Sequence, residues 1–86
     1  MNVYPNPTPD ILNLATGLSE QGKLYYQLFD MSGKNLVSAI AGIAAGNNIT
    51  ELSLEQFPAG DYLLKIVFTA DQSKKYNGSF KIQKTR

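Results

Sequence analysis

Apolar and polar residues alternate with period two along most of this chain, and no stretch shows the three-and-four spacing of an amphipathic helix. Ile11 to Ala15 reads as a short strand with Leu12 and Leu14 on one face. Lys23 to Asp30 puts Leu24, Tyr26 and Leu28 on one side and Tyr25, Gln27 and Phe29 on the other. Between these strands, Thr16-Gly17 through Gln21-Gly22 is a connection bracketed by glycines. Asp30-Met31-Ser32-Gly33-Lys34 is the clearest hairpin signal. Its aspartate can accept from the backbone two residues on, and its glycine can take the positive φ that a three-residue loop with a bulge requires.

The chain then turns back into a strand from Asn35 to Ala41. Gly42 to Gly46 is expected as a loop, since its two terminal glycines would each cost a helix about 1 kcal/mol. Ile49 to Leu54 directs Thr50, Leu52 and Leu54 inward. Pro58 forces Phe57 out of the helical region and Gly60 permits a turn, after which Tyr62 to Thr69 is the strongest strand. Asp71 to Lys75 is a polar turn. The last strand, Tyr76 to Lys84, has Tyr76, Gly78, Phe80 and Ile82 in phase, with Asn77, Ser79, Lys81 and Gln83 outside.

Short strands at a spacing of roughly 8–12 residues, with no helix and no internal repeat, predict an all-β fold: an immunoglobulin-like antiparallel β-sandwich of about seven strands. The 86 residues make one domain, 1–86, since a second core has no room. Tyr62, two residues after Gly60, stands where such sandwiches carry a tyrosine that returns its hydroxyl to the backbone upstream. Its other reading is a plain core aromatic.

The 43% apolar content suits a globular chain, and no apolar run approaches the ~20 residues of a membrane-spanning helix. Without cysteine, neither a disulfide nor a thiolate zinc site is available, so packing alone holds the fold. The net charge of +1 gives no argument for nucleic acid or a membrane surface, but its distribution is uneven. Residues 1–71 carry three basic and seven acidic side chains, whereas residues 72–86 carry five basic ones and no acid.

Val3-Tyr4-Pro5-Asn6-Pro7 constrains the chain before the first long strand. Each proline lacks an N–H and holds its predecessor extended, so Tyr4 to Pro7 is expected to run as a polyproline-like ribbon along a sheet edge, a stiff lead-in to the sandwich. Such a segment also blunts an edge against aggregation.

With no histidine and no cysteine, the usual general base and thiol nucleophile are missing, and the carboxylates are scattered without a pair at a catalytic spacing. No phosphate loop or calcium loop occurs, so neither catalysis nor a cofactor is expected. Tyr25, Tyr26 and Phe29 would make a sugar-binding platform if Tyr25 and Phe29 faced solvent; a covered surface or the core is the expected fate of that face.

Taken in order, Val3 to Pro7, Leu28-Phe29-Asp30-Met31-Ser32-Gly33-Lys34, Leu54 through Pro58-Ala59-Gly60-Asp61-Tyr62-Leu63-Leu64-Lys65-Ile66, and Phe80-Lys81-Ile82-Gln83-Lys84 resemble a type IX secretion system C-terminal sorting domain of the type A class. The resemblance implies an immunoglobulin-like tail that addresses an exported protein, through the periplasm and outer membrane, to the cell surface or the medium. It implies as partners the secretion translocon, a sortase-like peptidase and a covalently linked N-terminal cargo lying upstream of Met1. The positions matching the family signal are Tyr4, Pro5, Asn6, Pro7, Gly60, Tyr62 and the last strand with Phe80, Lys81, Ile82 and Lys84. These are the expected contacts for the machinery, with the last strand adding to a receptor edge and its lysines setting orientation. Exposed edges are also where two copies would pair as an edge-strand dimer. The rival reading is a stand-alone fibronectin-like or carbohydrate-binding accessory module of a secreted enzyme.

Overall fold

A computed structural model describes residues 2–18, 21–70 and 75–85. Seven strands follow one another: β1 (Asn2–Tyr4), β2 (Ile11–Leu18), β3 (Gly22–Asp30), β4 (Asn35–Ile43), β5 (Gly46–Ser53), β6 (Gly60–Ala70) and β7 (Lys75–Lys84). They form a three-stranded sheet, β1-β2-β5, and a four-stranded sheet, β4-β3-β6-β7, with antiparallel pairing throughout. Hairpins join β3 to β4 and β6 to β7 within one sheet, while the links from β2 to β3, β4 to β5 and β5 to β6 change sheets. This is the immunoglobulin-like sandwich that the alternation predicts.

The alternating positions meet between the sheets. Leu12, Leu14 and Leu52 come from the smaller sheet, and Leu24, Leu28, Leu64, Ile66, Phe68 and Ile82 from the larger, all buried in one core. Each such side chain contributes about 1.5–3 kcal/mol, and in a chain without disulfides or metal this burial is what offsets the ordering entropy. Tyr62 satisfies both of its readings. It is buried in the core, its ring packs obliquely on Phe57, and its hydroxyl donates to the Pro58 carbonyl.

The Asp30 hairpin forms as expected. Oδ1 of Asp30 accepts from the Ser32 amide, the Ser32 hydroxyl and the Lys34 amide, and Gly33 has φ +95°. Those bonds, the one from the Ser32 hydroxyl foremost, hold the Asp30 carboxyl below its usual range.

Several strands run past their expected ends. β2 continues to Leu18, and β4 runs on through Gly42 to Ile43, where Ile43 is buried and Gly42 pairs with Lys23. The glycine that the pattern reads as a loop therefore sits in a ladder, and the turn shrinks to Ala44-Ala45 before Gly46. Gly22 is needed for close approach rather than for a turn: a Cβ there would lie 2.3 Å from the Thr69 carbonyl oxygen. Of the expected Asp71–Lys75 turn, residues 71–74 lie outside the described residues, and Lys75 already begins β7.

The opening segment corrects one expectation. Tyr4–Pro5 and Asn6–Pro7 are both cis, so the segment is a folded crossing rather than a polyproline-like ribbon; proline's weak trans preference allows either form. It does lie on a sheet edge, in fact on two. β1 pairs with β2 on the small sheet, and two prolines later Thr8 bridges Lys84 in parallel on the large one.

Candidate functional site

Two prolines flanking one asparagine leave a stretch with few backbone donors, and the structure supplies the missing ladder from a side chain. The Asn6 amide donates from Nδ2 to the Lys81 carbonyl (2.8 Å) and accepts at Oδ1 from the Gln83 amide (3.0 Å). It thus occupies the edge of β7 as a peptide group of a neighbouring strand would. The backbone takes over one step later. Thr8 donates to the Gln83 carbonyl (2.9 Å) and accepts from the Thr85 amide (2.8 Å). The segment Asn6–Thr8 is therefore a clasp that ties the edge of the small sheet to the last strand.

Thr8 anchors the clasp. It is fully buried, and its hydroxyl donates to the Ile11 carbonyl (2.7 Å) while accepting from the Asp10 amide (3.3 Å). The hydrophobic pattern does not single it out, because a polar residue between two prolines belongs to no alternating run. The available signal was Thr8-Pro9-Asp10 itself, a side chain placed to bond its own backbone two residues on.

The third part is the corner before β6. Nζ of Lys84 donates to the Phe57 carbonyl (2.7 Å), and Gly60, exposed and at φ +153°, pairs with Lys84 as β6 begins. Segments 4–8, 57–62 and 80–85, remote in sequence, thus converge at one end of the sandwich.

The residues expected from the sequence divide into two groups there. Tyr4, Pro5, Asn6, Pro7, Gly60 and Lys81 are exposed. Tyr62 and Ile82 are buried, Phe80 packs half-buried against the core, and the Lys84 ammonium is turned in on Phe57. Tyr62 and Ile82 therefore shape the surface from within, while Phe80 and Lys84 are half-exposed. Beside the clasp lies an open depression of about 470 Å³ lined by Asn6, Pro7, Asp61, Lys81 and Gln83. Lys81 and Asp61 approach to 3.8 Å across it, a solvent-screened pair that positions rather than stabilises.

The clasp also limits strand addition. Alternate residues of β7 present their N–H and C=O away from β6, and the clasp already takes the Lys81 carbonyl, both groups of Gln83 and the Thr85 amide. The remaining outward positions are Lys75, Asn77 and Ser79, which no hydrogen bond from another described segment reaches.

Replacing Asn6 with alanine is expected to lower stability by about 1–3 kcal/mol, the sum of two ordinary hydrogen bonds. Thermal unfolding followed by circular dichroism would then fall by roughly 4–8 °C per kcal/mol. Asn6→Asp keeps the acceptor, loses the donor, and should fall between the two.

Among the described residues no group of three or more potential metal-ligating side chains occurs, and no helix is long and apolar enough to cross a membrane. A family model described as "Secretion system C-terminal sorting domain" matches residues 2–77, from β1 into the first part of β7. No curated protein and no solved structure matches the chain.

Proposed function

The chain belongs to the secretion system C-terminal sorting domain family, and from that premise we propose that it is an address read as a folded body at its clasped end. Membership makes it a sorting signal for type IX secretion, involved with that system and with a cargo region N-terminal to it, and implies export to the cell surface or the medium. A sorting domain is not a catalytic one.

The finer reading concerns what is recognised. Tyr4, Pro5, Asn6, Pro7, Gly60 and Lys81 form the contact surface, and Tyr62, Phe80, Ile82 and Lys84 hold it in shape. The observation that carries this is the convergence of the three motif-bearing segments on one depression, with Asn6 as the tie. Cargo enters at the N-terminal side of the clasp, so the reader of this end sees the junction between cargo and address. The translocon, the sortase-like peptidase and passage through the periplasm and outer membrane belong to the same reading. For strand addition, Lys75, Asn77 and Ser79 are the available edge.

The test is a reporter joined upstream of residue 1 in a bacterium with a type IX system. Reporter in the medium with the unsubstituted domain, and reporter trapped inside when the translocon is deleted, support sorting. Tyr4→Glu with Lys81→Glu changes only exposed side chains and is expected to cut export severely while thermal unfolding stays put. Export at the unsubstituted level would remove the clasped end as the recognised surface and leave sorting itself intact.

A further inference from the structure

The outward face of the four-stranded sheet carries a feature that the sorting reading does not use. Cross-strand register places Ile40, Tyr25, Val67 and Asn77 in one row, with Lys23, Thr69 and Lys75 in the row below. Lys65 stands in the row above, beside Gln27 and Ser79. Tyr25 and Phe29 therefore face outward rather than into the core, Tyr25 exposed and Phe29 half-buried, and Ile40 is 63% exposed. The strands of the small sheet contain no lysine or arginine, and their outward acid is Glu51. Among the described residues the large sheet's outer face has Lys23, Lys65 and Lys75, with Lys81 shared with the clasped end, against Asp61 and, at the hairpin end beside Phe29 and Lys65, Asp30. The basic character that the sequence shows at the chain's end is thus one side of a cationic frame around an apolar centre.

We propose that this face is a second docking surface, for an acidic protein surface that presents an apolar ridge to Tyr25, Ile40 and Val67. The partner's place in the secretion apparatus rests on the sorting reading above. Charge complementarity selects the sign of the partner, and the apolar row gives its contact. The aromatic geometry selects protein over glycan. The Lys65 ammonium sits 5.3 Å from the centre of the Phe29 ring, so that ring face is occupied by a cation and is not open for stacking a sugar. The framed area is about 14 Å across four strands and about 20 Å along them. That is far below the roughly 800 Å² per partner of a lasting complex. Such a contact is fast, salt-sensitive and readily broken, as an address that must be released requires.

The test places a photo-crosslinking amino acid at Tyr25, or at Ile49 on the small sheet's outer face as control, in the reporter fusion inside cells with the type IX system. A protein adduct from position 25 and none from 49, reduced at least about tenfold by K23E with K65E, is the expected result. Export should fall with it while thermal unfolding of the double variant drops by no more than the few degrees that one lost cation–π contact costs. No adduct at 25, an adduct indifferent to the charge reversal, or one whose added mass is polysaccharide would overturn the proposal. A fusion with the unsubstituted domain that never leaves the cell would instead overturn the sorting reading, and this inference with it.

Discussion

A chain ending at Ala70 is expected to show no cooperative unfolding transition and to leave a fused reporter inside the cell. The lost strand is not an appendage. β7 pairs with β6 from Gly60↔Lys84 to Thr69↔Lys75, so its removal bares the longest ladder of the large sheet. It also takes away Ile82, which is fully buried, and Phe80, which packs on the core. The clasp fails at the same time, since Asn6 and Thr8 bond only to Lys81, Gln83 and Thr85 across that gap. Two lost core side chains alone amount to several kcal/mol, against a total of about 5–15 kcal/mol for a natural domain. Far-ultraviolet circular dichroism with and without denaturant decides the matter. A truncated chain that keeps a sharp transition would mean that β7 is dispensable for the fold, and its loss of export would then report recognition directly.

This coupling shapes how much could be read from the sequence. The strands were legible because each alternates cleanly: Leu24, Tyr26 and Leu28 turn inward as their spacing says, and Leu64, Ile66 and Phe68 follow suit. The Asp30 hairpin was legible because its chemistry is local. Strand ends were less so, since Gly42 is held in β4 by its partner Lys23, a contact that local propensity does not encode. The clasp was half legible. Prolines announced an edge, but that Asn6 would mimic a peptide group on β7 depends on a residue 75 positions away. For the candidate contacts, the sequence named the right segments without telling exposed Tyr4 and Lys81 from buried Tyr62 and Ile82. In both cases the missing information is long-range, and period-two patterning carries only which face a residue takes, not which end of the sandwich it reaches. The outward turn of Tyr25 and Phe29 shows the converse limit: phase was clear, yet apolar residues on that phase argued for cover.

Phe68→Ala is the substitution that separates a machine reading a folded body from one reading a linear signal. Phe68 is almost completely buried, it packs obliquely against Tyr76 at 6.1 Å between ring centres, and it points inward from β6, away from the lysine frame on that strand's outer face and outside the segments of the clasped end. Truncating it leaves a cavity on the large sheet's inner face, toward the end away from the clasp, and is expected to cost about 3–5 kcal/mol. For a domain of this size that lowers the melting temperature by more than about 12 °C. Every exposed candidate contact keeps its identity in this variant. If the apparatus reads the folded surface, export should therefore fall with the folded fraction, recover at lower growth temperature, and stay near normal for Phe68→Leu, which leaves a smaller void. Reporter assays at two temperatures, beside thermal unfolding of the isolated domain, measure both sides of that relation. Full export of Phe68→Ala at a temperature where the domain is unfolded would require recognition of the chain itself, and the clasp and the basic face would then lose their role together.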